Sequence, residues 1–428
     1  MNIEEKAKRA KAASLLLSKI SAADKNDALL RIKKHLNEQQ SIIFDANKRD
    51  LAAAAENNIP EPLAKRLKFD GAKLRGVCDG IDALAKIEDP VGKILSAREL
   101  DSGLNLYQVS CPIGVIGIIF ESRPDALVQI STLCLKSGNA VLLKGGTEAV
   151  ETNRVLFEVI ASASIDAGMP EGWINLAENR SDVRDMLSLD RTIDLLVPRG
   201  SNEFVRYIMD NTNIPVLGHA DGVCHAYIHD DADLDMAVRI ATDSKTQYVA
   251  VCNALETLLV HQNVAESFLP MVKKSLEDRG VELRGCETTR SIIDVSTATE
   301  QDWVTEYLDY ILSVKVVGDY EAAVSHINTY GSHHTDAIVT RSGETAQKFM
   351  TVIDSANVFW NCSTRFSDGF VFGLGAEVGI STNKIHARGP VGLEGLVIYK
   401  WQLLGSGQIV ADYADTGRSY THKSIDHA

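Results

Sequence analysis

Among the residues able to do chemistry, the cysteines are the first to sort. The chain has seven, Cys78, Cys111, Cys134, Cys224, Cys252, Cys286 and Cys362. They are odd in number and dispersed, and none stands in a C-x-x-C spacing, which argues against a disulfide framework and a cysteine zinc site. Cys252 differs from the others in its surroundings. It lies in VAVCNALETLLV, residues 249–260, after a small apolar run and before NALETLLV, a pattern read as a helix. A helix N-terminus lowers a thiol's pKa and raises its thiolate fraction. Asn253 and the backbone N–H groups there could stabilise an oxyanion. Most free cysteines are small core hydrophobes, and spacing alone leaves Cys252 between the two roles.

Two turns could bind phosphate. In LLKGGTEA a strand ends at Lys144, and Gly145 and Gly146 open a helix. Glycines let backbone N–H groups approach an anion, and a helix N-terminus favours negative charge. DLLVPRGSNEF repeats the arrangement, with a strand, then Arg199-Gly200-Ser201, then a helix. Either turn could equally be an ordinary strand-to-helix connection. Arg123, in FESRPD, could grip a carboxylate or phosphate through both arms of its guanidinium, or make a structural salt bridge. Arg365 lies in NCSTRFSDG, which suits an anion-binding loop or a surface turn. A G-x-G-x-x-G fingerprint is missing; GLGAEVG, residues 373–379, comes nearest but has the wrong spacing and no strand before it. His225, His229, His333 and His334 read as solvated or core histidines, and no metal site is expected.

The elements that must position these groups follow from the apolar pattern. Residues 4 to about 88 carry apolar side chains at helical spacing (Leu29, Leu30, Ile32, Leu36). ILSARELDSGLNLYQVSCP alternates around a central DSG, which predicts a β-hairpin. From Gly114, short apolar strands alternate with helices, and a second such series runs from about Val223 to Thr382. That alternation predicts parallel sheets in doubly wound α/β domains. EGLVIYKWQLLGSG reads as a further strand and turn.

Composition bounds the function. The 428 residues suffice for two or three domains, with 45% hydrophobic and 24% charged residues. A net charge of −14 argues against nucleic acid or anionic membrane as a general partner. The N-terminus lacks the features of a signal peptide, and no apolar run reaches the ~20 residues of a membrane span. A cytoplasmic location is the expectation.

Taken together, IGVIGIIFESRPDALVQ, GNAVLLKGGTEA, VPRGSNEFVRYI, IPVLGHADGVCH, VCNALETLLVH, YGSHHTDAIVT, NCSTRFSDG and FGLGAEVGISTNKIHARGPVGLEGL resemble the γ-glutamyl phosphate reductase family, the glutamate-5-semialdehyde dehydrogenases. The resemblance runs from about residue 5 to about residue 410 and is expected to be to the stand-alone reductase. It implies an aldehyde-dehydrogenase-like fold with two doubly wound α/β domains and a β-flap for oligomerisation. Residues 1–92 and 112–222 would form the NADP-binding domain, 223–382 the catalytic domain, and 93–111 with 393–428 the flap and tail. It also implies NADPH-dependent reduction of L-glutamyl 5-phosphate to L-glutamate 5-semialdehyde and phosphate, the second step of proline synthesis from glutamate. Partners would be the small-molecule substrate, further copies in a homo-oligomer, and glutamate 5-kinase.

By the same resemblance Cys252 is the nucleophile, forming a thioester that hydride resolves, with Asn253 a candidate oxyanion donor. Lys144 would meet the adenosine ribose and Gly200 and Ser201 the pyrophosphate, with Gly145 and Gly146 of the first turn also counted as cofactor-binding. Glu306, in EYLDYILSV, would hold the nicotinamide ribose, and Ser122, Arg123 and Arg365 the substrate. Hydrolytic aldehyde dehydrogenases carry a base glutamate where Val216 stands in PVLGH. An acyl-phosphate reductase should lack it, because activated water would destroy the thioester. Ser122 stands where those enzymes keep an oxyanion asparagine. Thr147 replaces the carboxylate expected three residues after the ribose lysine, which favours NADP, although Glu148 is adjacent. A hydrolytic or CoA-acylating semialdehyde dehydrogenase, or a catalytically dead scaffold, are the competing readings.

Overall fold

The computed structural model describes residues 1–426 except 60, 122, 180, 220, 375, 376 and 415–417; the side chains of 61–63 also lie outside the description. Helices lead, as the apolar spacing predicts: Ile3–Leu17, Ala22–Glu38, Gln40–Glu56, Glu61–Leu67 and Gly71–Lys86. Ser21 and Asp70 cap the helices that follow them by accepting N–H bonds at their first turns.

Four parallel strands follow, in spatial order Ile174–Ala177, Ala140–Gly145, Val115–Phe120, Leu195–Arg199. Both faces are covered. Leu29, Ile32, Ile43 and Ile81 of the leading helices join Leu127, Ile130 and Leu156 over one face. Ile3, Ala7 and Ala10 of the first helix join Met186 and Ile208 over the other. Strands buried on both sides are continuously apolar, which is why VIGIIF and AVLLKG have no alternation.

A second parallel sheet has seven strands, in order Ser296–Thr297, Glu282–Gly285, Ile311–Val317, Leu255–His261, Cys224–Ile228, Thr335–Val339, Asn357–Trp360. It too has an apolar core on each face. Two doubly wound parallel sheets bear out the expected aldehyde-dehydrogenase-like α/β class.

The hairpin Ile94–Asp101 and Leu104–Pro112 turns at Gly103, whose φ of 71° suits glycine. Val397–Leu404 pairs antiparallel along its second strand, and Lys423–Ser424 along its first. Along Val397–Leu404 the side chains of Tyr399, Trp401, Leu403 and Leu404 are exposed. Among the described residues no helix is long and apolar enough to cross a membrane.

One element departs from expectation. NALETLLV does not start a helix: Leu255–His261 is a fully buried strand near the middle of the larger sheet. A run this short fits either state by periodicity. The apparent polar face comes from Glu256 and Thr257, both fully buried, with Glu256 paired to Lys245 at 2.7 Å.

Candidate active site

The carboxyl ends of one sheet and the amino ends of the other supply the site. Phe120 is level with Gly145 on one side and Arg199 on the other, so the loops holding Glu121, Gly146 and Gly200 share one edge. In the larger sheet, Cys252 precedes Leu255, Gly222 precedes Cys224, and His334 precedes Thr335, at the amino ends of three adjacent strands.

Cys252 is partly buried. Without a helix behind it, the expected lowering of its pKa does not occur. Burial pushes the thiol up to about 12, and the charges of Glu306 and Glu377 add to this; its own N–H and Arg365 pull the other way. Asn253 is buried, and its Nδ2 donates to the Ser367 carbonyl at 2.8 Å. The Thr364 hydroxyl donates to the Asn253 carbonyl at 2.7 Å. These bonds tether the nucleophile to the loop carrying Arg365, whose Nε donates to Gln247 at 2.9 Å.

Glu306 lies beside the thiol. It accepts from Asn202 Nδ2 and from the Gly222 N–H, and burial raises its pKa. A Cβ at Gly222 would stand 2.2 Å from the Cys252 carbonyl oxygen and 2.6 Å from Glu306 Oε1. Only glycine fits between them.

At the other sheet, Lys144 is buried and its ammonium donates to the Gly145 carbonyl; burial lowers its pKa, opposed by Asp182 and Glu148. The expected helix opening is modified. Thr147–Ala149 is a single 3-10 turn, and the helix Val150–Asp166 follows. Its early N–H groups at Glu151 and Thr152 are bonded to Asp50, at 3.2 and 2.8 Å, so that helix end is already satisfied by an internal carboxylate. Gly200 and Ser201 open the helix Asn202–Asp210, as expected. The Ser201 N–H donates to Glu121, whose carboxyl is raised by burial and by Glu148. An internal anion on this turn is an observation that the turn accepts negative oxygen, the requirement of a dinucleotide pyrophosphate. Gly200 and Ser201 fit a nicotinamide dinucleotide in this respect.

Ser122 lies outside the described residues, as do Gly375 and Ala376 of GLGAEVG. Arg123 is exposed just before the helix Pro124–Lys136. Arg199, not singled out by its sequence context beyond the turn it begins, lies within electrostatic reach of it. Burial, then the charge of Arg123, lowers the Arg199 pKa, while Glu377, Asp125 and Cys252 oppose this. Neither guanidinium makes a salt bridge to a described residue.

The histidines divide. His225 is a core residue, its Nδ1 at 2.9 Å from buried Asp336. His334 is also buried, but beside the thiol: ring nitrogens of His219 and His334 and Cys252 Sγ lie within 4.8 Å of one another. Nothing local marks His219 or His334; they meet only through the packing of two distant loops.

The comparisons agree with this architecture. Residues 1–289 match the model of the aldehyde dehydrogenase family. The chain is 62% identical to the γ-glutamyl phosphate reductase of Acetivibrio thermocellus, over 100% of this chain and 99% of that one. It is 52% identical to that of Methanococcoides burtonii, covering 99% and 97%. The crystal structure of γ-glutamyl phosphate reductase from Thermotoga maritima is 40% identical, with a TM-score of 0.94 over 96% of this chain and 100% of that one. An acetylating aldehyde dehydrogenase of Geobacillus thermoglucosidasius shares the fold, at 15% identity, TM-score 0.64 and coverage of 95% and 97%.

Proposed function

Because the chain belongs to the γ-glutamyl phosphate reductases of the aldehyde dehydrogenase family, we propose that it reduces L-glutamyl 5-phosphate to L-glutamate 5-semialdehyde with NADPH, in proline biosynthesis. The relatives' name supports the reaction; the cofactor and the covalent route are read from the site. The observation that carries the route is the partly buried Cys252 thiol set near Arg199, with aliphatic Val216 where a hydrolytic enzyme would hold its base.

In this reading Cys252 Sγ attacks the acyl carbon, a C–S bond forms, and the C–O bond to phosphate breaks. Arg123 and Arg199 take the departing phosphate, a forked cation pair suited to a dianion. Arg365 remains the candidate for the substrate carboxylate, and Ser122 stays a substrate candidate by resemblance alone. Backbone N–H groups and the second amide hydrogen of Asn253 would steady the oxyanion. Lys144, Gly145 and Gly146, then Gly200 and Ser201, then Glu306 would hold the cofactor along the cleft. Bound NADPH supplies the hydride. Residues 1–92 with 112–222, and 223–382, are the proposed binding and catalytic domains. The exposed strand Val397–Leu404, in the proposed flap, favours pairing with a second copy. A cytoplasmic location and association with glutamate 5-kinase belong to the same reading.

The reaction run backward tests it. With glutamate semialdehyde and NADP+, NADPH should accumulate only when phosphate or arsenate is present. Turnover without either, or dependent on CoA, would overturn the assignment. Cys252→Ser should lose at least ~1,000-fold in rate while still binding cofactor; unchanged turnover would remove the covalent route.

A further inference from the structure

A thiol raised to about 12 is protonated at neutral pH, and only the thiolate attacks. The proposed route therefore needs a proton acceptor, and Val216 cannot be one. His219, three residues further along the same stretch, is in place. Its Nδ1 lies 3.0 Å from the Ile380 carbonyl. A carbonyl only accepts, so Nδ1 bears the proton and Nε2 keeps its lone pair. His219, His334 and Cys252 bring their ring nitrogens and sulfur within 4.8 Å of one another. The His334 ring packs edge-on against His219, with centroids 4.9 Å apart, and its Nδ1 is 2.8 Å from Thr335 Oγ1. A base oriented through its other nitrogen and set beside a nucleophile is the arrangement that covalent catalysis requires.

We propose that His219 Nε2 is the general base that takes the Cys252 proton during attack and delivers it to the departing phosphate. The inference rests on the acyl-phosphate reading above. The proton balance is closed. The S–H bond breaks as the C–S bond forms, and the imidazole becomes imidazolium. As the acyl C–O bond breaks, that proton passes to the phosphate oxygen, which would otherwise leave as a trianion. When the aldehyde is released, the thiolate recovers a proton from solvent through the same nitrogen. This is the single proton that the overall reduction consumes. His334 touches no reacting atom in this scheme; it is a positioning residue that fixes the plane of the His219 ring.

The charged groups around the pair set its pH behaviour. Burial, then Arg199, lowers the His219 pKa, against the Ile380 bond and the charges of Asp221 and Glu377. Glu306, Glu377 and Arg365 act on the thiol. The imidazole is thus neutral and able to accept through the neutral range. Reverse turnover should stay flat there and fall only in acid.

His219→Asn is the informative variant, because an asparagine amide can keep the bond to Ile380 while removing Nε2. The expected result is a loss in kcat of ~100-fold or more, with KM for semialdehyde changed less than threefold. The rate should then climb tenfold per pH unit across neutrality, and added imidazole should restore part of it. Equal kcat in the two proteins, or a parallel pH profile without imidazole rescue, overturns the role of His219. Thermal unfolding of the variant at the wild-type midpoint excludes misfolding as the cause. If instead the wild type shows no phosphate-dependent turnover, the acyl-phosphate reading itself fails, whatever the variant does.

Discussion

The two parallel sheets meet the site from opposite ends, and their edges are built differently. The four-stranded sheet presents carboxyl ends, where Glu121, Gly146, Gly200 and Ser201 lie in partly or fully exposed loops. The seven-stranded sheet presents amino ends, where His334, Lys245 and Glu256 are fully buried and Cys252 is partly so. Burial shifts proton affinity on both sides, and around the thiol on the second edge it raises Cys252, Cys224 and Glu256 and lowers His334. The lesson is a division of labour. An edge that exchanges phosphate oxygens must stay open to water, with backbone N–H groups as its donors. An edge that moves protons gains from being dry, because desolvation makes each neighbouring group count.

The dry edge should therefore break hardest when a buried charge loses its partner. Lys245 and Glu256 are both fully buried and 2.7 Å apart. The Leu308 N–H also donates to Glu256, at 3.3 Å, which ties the pair to the loop holding Glu306. Lys245→Met should cost about 3–5 kcal/mol at pH 8, since it strands a buried carboxylate. Burial already pushes Glu256 up to about 7, with Lys245 holding it down. Without the lysine its folded pKa rises further above the unfolded value. For such a group, stability is present at low pH and is lost as pH rises through the folded pKa. The deficit should shrink between pH 8 and pH 6. Denaturant melts at the two pH values check this; a loss below about 1 kcal/mol at both would show that the pair does not stabilise the edge.

How far the sequence reading reached follows the same division. The open edge was legible because its turns are local: Gly200-Ser201 precedes its helix in sequence and in space. The dry edge was legible only at Cys252, Asn253 and Glu306, the last two less firmly than the first. Its neighbours come from segments far apart in the chain, so His219 and His334 had no local mark. The misread helix at NALETLLV has the same cause. Glu256 is polar because it pairs with Lys245, a contact that periodicity along one segment cannot express. The N–H groups at the start of Val150–Asp166 were expected to be open to phosphate, but Asp50, from another helix, bonds them.

At the open edge a smaller effect should sharpen the contrast. Arg123 acts against the charge of Arg199 in the free protein, with Glu377 and Asp125 opposing it, and an arriving anion would relieve the repulsion further. Arg199→Ala should raise KM for phosphate in the reverse assay by ~10–100-fold, the worth of a charge-assisted bond of about 1.5–3 kcal/mol. Unfolding should be unchanged or slightly improved. Arg199→Lys should fall between, since it keeps charge without the fork. If KM for phosphate held while KM for semialdehyde rose, the pair would be assigned to the substrate carboxylate instead.

The smallest effect concerns cofactor choice, and here the structure works against one sequence argument. Thr147 removes an expected carboxylate, but Glu148 keeps a negative charge beside the same turn. A Cβ on Gly146 would stand 2.1 Å from Glu148 Oε1, and Glu148 raises the pKa of both Glu121 and Lys144. If the adenosine ribose sits at Lys144, as proposed, a 2′-phosphate would have to displace or outweigh that carboxylate, whereas a 2′-hydroxyl could donate to it. A single partly exposed charge is worth about 0.5–1 kcal/mol. Glu148→Gln should therefore raise the ratio of kcat/KM for NADPH over NADH by ~3-fold, with kcat for NADPH unchanged. A ratio that rises only because NADH activity collapses would mean that Glu148 binds a ribose hydroxyl and that the chain works with both cofactors. A ratio that stays fixed would place Glu148 away from the 2′ position, turned toward Glu121 at the pyrophosphate turn.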